Sequence, residues 1–134
     1  MSDIIPTGRP RFSQADVAVL LAAGRAAPSI HNTQPWQFTV RADQVEVRIE
    51  RRRAVPAVVP DGRQQTISCG AAVFNLRLAV AHLGYAPVTA VFPDPDDPDY
   101  AAAVRAGKRQ VPETWQAVLY QVLGRRHANR AGYR

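Results

Sequence analysis

The chain has 134 residues, 46% of them hydrophobic, and its 17 basic residues outnumber its 11 acidic ones to give a net charge of +6. This apolar content is too high for a disordered segment, and the length suits one domain with its own core. No stretch approaches the roughly 20 apolar residues of a membrane span, and the first residues lack the pattern of a signal peptide. Its single cysteine, Cys69, can form no internal disulfide, which is typical of a reducing compartment. We therefore expect one soluble, cytoplasmic domain over residues 1–134, with no membrane partner.

The first third of the chain predicts a helix followed by a sharp stop. Residues 1–12 contain two prolines and a glycine and predict an irregular arm. Ser13 and Asp16 have the spacing of a capping box, and apolar residues then recur at helical spacing. Pro28 disfavours the α region for the residue before it, so this helix should end near Ala26.

Two alternating runs come next and predict a β-hairpin. Residues 36–40 and 45–49 each place large apolar side chains at every second position, and Ala42-Asp43 can form the turn between them. Residues 54–63 contain two prolines and an Asp-Gly pair, which predicts a loop.

The longest apolar segment runs from Thr66 to Leu83 and predicts a central helix. Because it is apolar over much of its circumference, it should be buried on more than one side, and Gly84 supplies a C-cap. A strand is expected at 87–92, followed by an acidic loop at 94–99. Residues 100–105 stay ambiguous, since alanine favours a helix and the short run favours a strand.

A last helix is predicted to open at residues 111–113, with Pro112 in its first turn. Its apolar face should comprise Trp115, Val118, Leu119, Val122 and Leu123. The whole order is helix, two strands, long helix, strand, unclear element, helix. This is an α+β pattern, with an antiparallel or mixed sheet packed on a long central helix.

The connector between the first helix and the hairpin is unusually rich in hydrogen-bonding groups. Between Pro28 and Pro35 it carries Ser29, His31, Asn32 and Gln34. Such groups need partners from the backbone, water or a ligand. We interpret this connector as the wall of a ligand site.

The C-terminal stretch 124–134 concentrates arginine, and its charge favours an anionic partner. If it is helical, Arg126 and Arg130 share one face, where their repulsion favours an anion between them. Arginine forks bind phosphate oxygens in pairs. The alternative is a frayed basic tail. Nucleic acid is the weaker interpretation, because aromatic residues for base stacking are not interleaved with the arginines.

Other kinds of site lack their usual signals. The three histidines are far apart, no CxxC is present, and no P-loop, GxSxG or GxGxxG occurs. We predict no metal site and assign no catalytic side chain. Cys69, near the start of the central helix, is expected to be buried packing.

Two stretches together resemble a known family. Pro28-Ser29-xx-Asn32-x-Gln34-Pro35-Trp36-x-Phe38 resembles the PSxxNxQPWxF signature of the flavin-dependent nitroreductases, and Gly70–Ala79 with Gly84 resembles the central helix of that family. Arg125-Arg126-x-x-x-Arg130-x-x-Tyr133 is similar to its phosphate-binding RRSxRxF motif, with His127 at the serine position. The order is unusual, because the arginine motif ordinarily comes first. It resembles the Acg-like branch, in which two nitroreductase-like halves form one chain. This chain would be the first half, with residues 124–134 resembling the start of the second.

The resemblance implies FMN bound between two subunits or two halves. Residue by residue, it implies that Arg125, Arg126 and Arg130 hold the phosphate with His127 nearby. Pro28, Ser29 and Asn32 would line the flavin ring, and Gln34 would line the ring or satisfy the backbone of its own turn. Trp36 and Phe38 are expected in the core.

The implied activity is hydride transfer from NAD(P)H through FMN to a nitroaromatic or quinone acceptor. The flavin carries that chemistry, which agrees with the missing acid–base constellation. A homodimer or a second half would complete the site. Two alternatives stay open: a flavin-binding or flavin-storage protein without turnover, and a truncated, non-catalytic fragment that acts in protein interaction.

Overall fold

A computed structural model describes residues 12–28, 36–50 and 63–130, with side chains over 12–28, 36–50 and 67–123. In chain order its elements are α1 (Gln14–Arg25), β1 (Trp36–Arg41), β2 (Gln44–Ile49), α2 (Arg63–His82), β3 (Tyr85–Val91), β4 (Tyr100–Arg109) and α3 (Thr114–Arg130). The predicted arm at 1–12 and the predicted loop at 54–63 lie almost wholly outside the described residues.

The strands form one antiparallel sheet in the order β1-β2-β4-β3. Helix α2 packs against the sheet, against α1 and against α3. The predicted α+β class is therefore confirmed, with a purely antiparallel sheet on a long central helix. Among the described residues, no helix is both long and apolar enough to cross a bilayer.

Local signals set the first elements as predicted. Ser13 and Asp16 form a reciprocal capping box: the Asp16 amide donates to Ser13 Oγ at 3.1 Å, and the Ser13 amide donates to Asp16 Oδ2 at 3.0 Å. The helix ends with Ala26 as its C-cap. The hairpin turns at Ala42 and Asp43, and Ala42 adopts a left-handed φ of 36°.

The core lies between the sheet and the helices. Its largest fully buried side chains are Leu20, Leu76, Leu78, Val45, Val47, Val80, Val104 and Cys69. The prediction that Cys69 is buried is confirmed. Helix α2 begins at residue 63, three residues before its predicted start, and Gly84 follows its end with a φ of 98°, as expected of a C-cap glycine.

The ambiguous segment after Tyr100 is the strand β4. It pairs with β2 on one side and with β3 on the other, so its backbone groups are satisfied by two neighbours. Ala101, Ala102 and Ala103 are buried there. This tertiary pairing overrides the helical preference of alanine.

The last helix begins later and extends further than expected. Pro112 lies before the helix rather than in its first turn, because Glu113 is the residue whose main-chain amide bonds Gln116 Oε1, at 2.8 Å. The helix passes through Gly124 and continues to Arg130. The arginine-rich stretch is thus helical at 124–130 and does not form a frayed tail there.

Candidate functional site

The candidate site begins where α1 ends. The amides of Ala26 and Ala27 bond carbonyls of the preceding turn, which closes the helix. Ala27 is buried at 1% exposure, and Pro28, the first predicted ligand-site residue, is exposed directly after it. The chain therefore leaves the core at Pro28, where the polar connector starts.

Two contacts hold this end of α1 on the central helix and the hairpin. Asn75 Nδ2 donates a buried hydrogen bond of 3.0 Å to the Ala23 carbonyl. At Gly24 the ring of Phe38 packs so closely that an added Cβ would stand 2.8 Å from its Cζ, with Leu76 Cδ2 at 3.3 Å. Gly24 is needed here because the aromatic ring occupies the space of a side chain.

The other end of the connector is fixed by Trp36, the first residue of β1. Trp36 is 6% exposed and belongs to the core, and Phe38 packs against that core. The two rings stack with centroids 6.0 Å apart and planes 24° apart. Trp36 is a core residue as predicted, and Phe38 is half-buried against that core, so the apolar part of the signature forms the framework.

Three other predicted ring-binding residues, Ser29, Asn32 and Gln34, lie outside the described residues, between two anchored ends. Their predicted role at a ligand stays a prediction. What the structure adds is their setting: they belong to a connector whose flanks are held by buried contacts on both sides.

The predicted phosphate-binding residues Arg125, Arg126, His127 and Arg130 all lie in the last turns of α3. The helix places Arg126 and Arg130 on one face, at the i, i+4 spacing considered from the sequence. Their side chains lie outside the described part. A joint site of these residues with Pro28 therefore stays a prediction.

Helix α3 is fixed to α2 before it reaches the arginines. The rings of Tyr120 and His82 stack with centroids 4.0 Å apart and planes 11° apart. Leu123, the last residue whose side chain is described, packs against the core. The arginine-bearing turns therefore continue from an anchored helix.

A polar cluster on β2 was missed from the sequence. Glu46 is 7% exposed, and its carboxylate accepts hydrogen bonds from Arg41 Nε at 2.9 Å and Gln44 Nε2 at 3.0 Å. Arg48 lies 3.9 Å from the same carboxylate and forms an ion pair with Asp97. The available signal was the alternation of polar residues at positions 44, 46 and 48, which places them on one side of the strand.

Hydrogen bonding, burial and charge shift the pKa values of Arg48 and the neighbouring Tyr100. The hydrogen bond that Arg48 donates to the Asp97 carboxylate raises the pKa of Arg48 above its ordinary value, so this guanidinium stays charged. Burial, and then the nearby Glu46 carboxylate, raise the pKa of Tyr100. Within the described residues, no group of three or more metal-binding side chains comes together. The cluster supports the sheet rather than forming a recognisable reaction centre.

Comparison with known proteins connects this architecture to one family. Residues 8–118 match the nitroreductase family. The Mycobacterium tuberculosis protein named "Putative NAD(P)H nitroreductase Rv3131" is 33% identical over 117 residues, which cover 87% of this chain and 34% of that protein. Another protein of the same organism, "Putative NAD(P)H nitroreductase acg", is 33% identical over 78 residues, which cover 58% of this chain and 24% of the length of that protein.

A solved structure shows the same fold. It is the crystal structure of a protein described as a "putative nitroreductase in complex with FMN" from Desulfovibrio desulfuricans, with a TM-score of 0.57 and 23% identity, and the match covers 80% of this chain and 85% of that one. The chain spans about a third of the length of Rv3131. The family match covers most of the chain and the fold agrees with it, so this chain belongs to the nitroreductase family.

Proposed function

We propose that this chain binds FMN and serves in an oxidoreductase of the nitroreductase type, which passes hydride from NAD(P)H to a nitroaromatic or quinone acceptor. One observation carries the proposal. The apolar residues of the signature, Trp36 and Phe38, are packed as a framework that holds both flanks of the polar connector. The polar residues of that signature are then the ones left to meet a ligand.

The donor types on the chain fit FMN. Its phosphate is an anion with several acceptor oxygens, and Arg125, Arg126 and Arg130 supply guanidinium forks suited to them, with His127 beside them. Pro28, Ser29, Asn32 and Gln34 would supply the contacts and hydrogen bonds to the flavin ring. The family match ends at residue 118, so the arginine assignment rests on the motif and on the helical spacing alone.

FMN, when bound, supplies the two-electron chemistry between the nucleotide and the acceptor. The residues of the chain then bind and orient it, and none of them is assigned a proton-transfer role. A homodimer is the proposed assembly for this chain, with the flavin site completed by a second copy. The cytoplasm is the proposed location, because a single cysteine suits a reducing compartment.

Flavin binding tests the proposal directly. The purified protein should show a flavin absorbance spectrum, or acquire one on addition of FMN. Arg126→Ala and Arg130→Ala should each weaken FMN binding by roughly tenfold or more, because each removes a charge-assisted contact to phosphate. Riboflavin has no phosphate, so its affinity should be unchanged in both variants.

Lys108→Ala is the matched control, since it removes an exposed positive charge from β4, outside the arginine motif. It should bind FMN like the unmodified protein. A purified protein that acquires no flavin spectrum even with excess FMN would overturn the proposal.

A turnover assay distinguishes the proposed oxidoreductase from its main alternative, a flavin-binding or flavin-storage protein. Oxidation of NADH or NADPH in the presence of a nitroaromatic or a quinone, measured without oxygen, should depend on bound FMN. A protein that holds FMN and gives no oxidation with any of these pairs would instead be a flavin-binding or flavin-storage protein.

A further inference from the structure

Strand β3 lies at an edge of the sheet and carries no charged side chain. Among the strands that the structure describes, it pairs only with β4. Residues 85–92 include no Lys, Arg, Asp or Glu. Val88, Val91 and Phe92 are 41%, 67% and 46% exposed. Sheet edges are ordinarily protected by charged side chains, and an apolar edge without them is a template for pairing with another extended segment.

The hydrogen bonding of β3 shows which of its main-chain groups point away from the sheet. The Phe92 amide donates to the Ala101 carbonyl at 2.8 Å. In an antiparallel pair, residues that bond the neighbouring strand alternate with residues that do not. Counting back from Phe92, the amides and carbonyls of Val91 and Thr89 therefore face the free edge. Pro87 is the next residue in this series, and its missing amide agrees with a position that β4 does not use.

The free edge is short and has a defined length. Pro87 supplies no donor at one end, and at the other end Phe92 adopts a left-handed φ of 47°, which turns the chain out of the strand. The edge open to a partner therefore comprises residues 88–91, which suits a short extended segment. Because successive side chains point to opposite faces of a strand, Val88 and Val91 lie on different faces. A matching segment is therefore apolar on both of its own faces.

Opposite charges flank this edge. Beyond its C-terminal end, Asp94 and Asp96 are exposed in the acidic loop. At its N-terminal end, the guanidinium carbon of Arg109 lies 5.3 Å from the centre of the Tyr85 ring, and the adjacent Lys108 is exposed. A segment that pairs with β3 therefore runs between an acidic end and a basic end.

We propose that the edge of β3 binds an extended segment of another protein, which adds to the sheet as an antiparallel strand. The segment has a short run of β-branched residues, preceded by basic residues and followed by acidic ones. In the antiparallel direction its basic residues lie at the acidic loop and its acidic residues at Lys108 and Arg109. This direction continues the antiparallel pairing of the described sheet, and the main-chain groups of Thr89 and Val91 receive partners.

A designed peptide tests the charge pattern and the direction. The probe is Lys-Lys-Val-Thr-Val-Val-Glu-Glu, amidated and carrying a fluorophore on its N-terminus, and its anisotropy is measured against the full chain. It should bind saturably with a Kd on the order of 100 μM, because a contact of this size is small. The control peptide has the lysines and glutamates exchanged. It should bind at least fivefold more weakly, and about 1 M salt should reduce the difference.

Methylation of the peptide backbone tests whether the peptide binds as a strand. Successive residues of an added strand alternate between facing β3 and facing away from it. Methylation of the amide nitrogen at each of the four central residues in turn should therefore give an alternating result. Two of the methylated peptides should bind about tenfold more weakly or worse, and the two between them should bind within about twofold of the parent. This comparison uses the unmodified protein, so no variant has to fold.

Two protein variants test the same surface from the other side. Val91→Pro removes an amide that faces the free edge and should weaken peptide binding about tenfold or more. Val111→Pro is the matched control, because Val111 is an exposed valine outside the sheet, and it should bind the peptide like the unmodified protein. Arg109→Glu should weaken the original peptide and strengthen the exchanged one. Circular dichroism verifies that each variant is folded.

The proposal fails if the peptide does not saturate the protein below about 2 mM, if the exchanged peptide binds equally well or better, or if methylation gives no alternation. Sedimentation equilibrium tests a different occupant. If the unmodified chain associates with itself and Val91→Pro abolishes this while Val111→Pro does not, the edge pairs with a second copy and the proposal is wrong. None of these measurements involves FMN, so this proposal and the proposed function can be judged separately.

Discussion

Asn75 in α2 reaches across to α1, where its side-chain amide donates a 3.0 Å hydrogen bond to the main-chain carbonyl of Ala23. Carbonyls in the last turn of a helix lack complete partners within the helix. The bond adds a buried side-chain partner to the Ala23 carbonyl, which also accepts from the Ala26 amide at 3.2 Å, and it ties the end of α1 to the central helix. Because Pro28 follows only a few residues later, this bond also fixes where the polar connector begins.

We expect Asn75→Ala to lower the free energy of unfolding by about 0.5–1.5 kcal/mol, because the Ala23 carbonyl would lose its side-chain donor and keep only the bond from the Ala26 amide. Asn75→Asp should cost at least as much, since a carboxylate has the same shape and cannot donate. Urea unfolding followed by circular dichroism measures both.

Gln121→Ala is the control, because Gln121 is exposed on α3 and far along the chain from α1. Its free energy of unfolding should change by no more than about 0.5 kcal/mol. Equal stability of Asn75→Ala and Gln121→Ala would show that the bond contributes nothing.

Gly24 and Gly70 form a matched pair of helix glycines with opposite surroundings. A Cβ at Gly24 would stand 2.8 Å from Phe38 Cζ, whereas a Cβ at Gly70 would meet nothing within 4 Å. Gly24→Ala should destabilise the fold by roughly 1–2 kcal/mol, because the ring must move despite the better helix propensity of alanine. Gly70→Ala should stabilise it by up to about 1 kcal/mol.

Thermal and urea unfolding of the two variants measure this difference in sign. Combining Gly24→Ala with Phe38→Leu should cost less than the sum of the two single changes, because the smaller side chain makes room for the methyl group. If Gly24→Ala were as stable as Gly70→Ala, the close approach of Phe38 would not constrain the site.

Local sequence signals predict most of the elements. The capping box at Ser13 and the alternation of the hairpin act over a few residues, so they are visible in the sequence itself. The local pattern does not decide strand β4, because alanine favours a helix while the short run favours a strand. Its conformation depends on the two strands that flank it, which are distant in the chain.

The sequence predicts the burial of some residues near the candidate site and not of others. The signature identifies Trp36 and Phe38 as framework because large apolar residues at every second strand position share one face. In contrast, the apolar pattern of α3 predicts five buried residues, and the structure leaves Trp115, Val118 and Val122 largely exposed. An apolar pattern shows which residues avoid water. It does not show whether they pack within their own domain or against another surface. The alternation along β2 groups Gln44, Glu46 and Arg48, but the pattern does not show that Arg41 of β1 and Asp97 of the acidic loop complete the cluster.

The contacts of Glu46 predict that this side chain stabilises the sheet. Its nearly buried carboxylate accepts bonds from Arg41 and Gln44 and lies near Arg48. Glu46→Ala should lower the free energy of unfolding by about 1–3 kcal/mol, because Arg41 and Gln44 lose their acceptor. Glu46→Gln should cost less, since its oxygen still accepts.

Urea unfolding of both variants measures the order of these effects. Asp96→Ala is the control, since Asp96 is an exposed carboxylate of the acidic loop. If Glu46→Ala and Asp96→Ala were equally stable, the contacts of Glu46 would contribute no more than a solvated surface charge.

The raised pKa of Tyr100 predicts how the free energy of unfolding changes at high pH. Burial and the Glu46 carboxylate raise its pKa, so the folded protein holds the phenol proton more tightly than the unfolded chain does. The stabilising effect is fully present below the ordinary tyrosine pKa of about 10 and is lost as the pH rises through the folded value. Phe at this position has no proton to lose. The stability difference between the unmodified protein and Tyr100→Phe should therefore shift in favour of the variant as the pH rises above about 10.

Phenolate absorbance near 295 nm gives an independent measurement of the same group. Tyr100→Phe should remove a transition that lies above the ordinary tyrosine value, and Glu46→Gln should move that transition toward lower pH. Tyr120→Phe, which removes one phenol from α3, serves to calibrate the amplitude of a single tyrosine. If the transition lost in Tyr100→Phe lay at or below pH 10, Tyr100 would be solvated like a free side chain, and the proposed linkage between its proton and the stability of the sheet would be wrong.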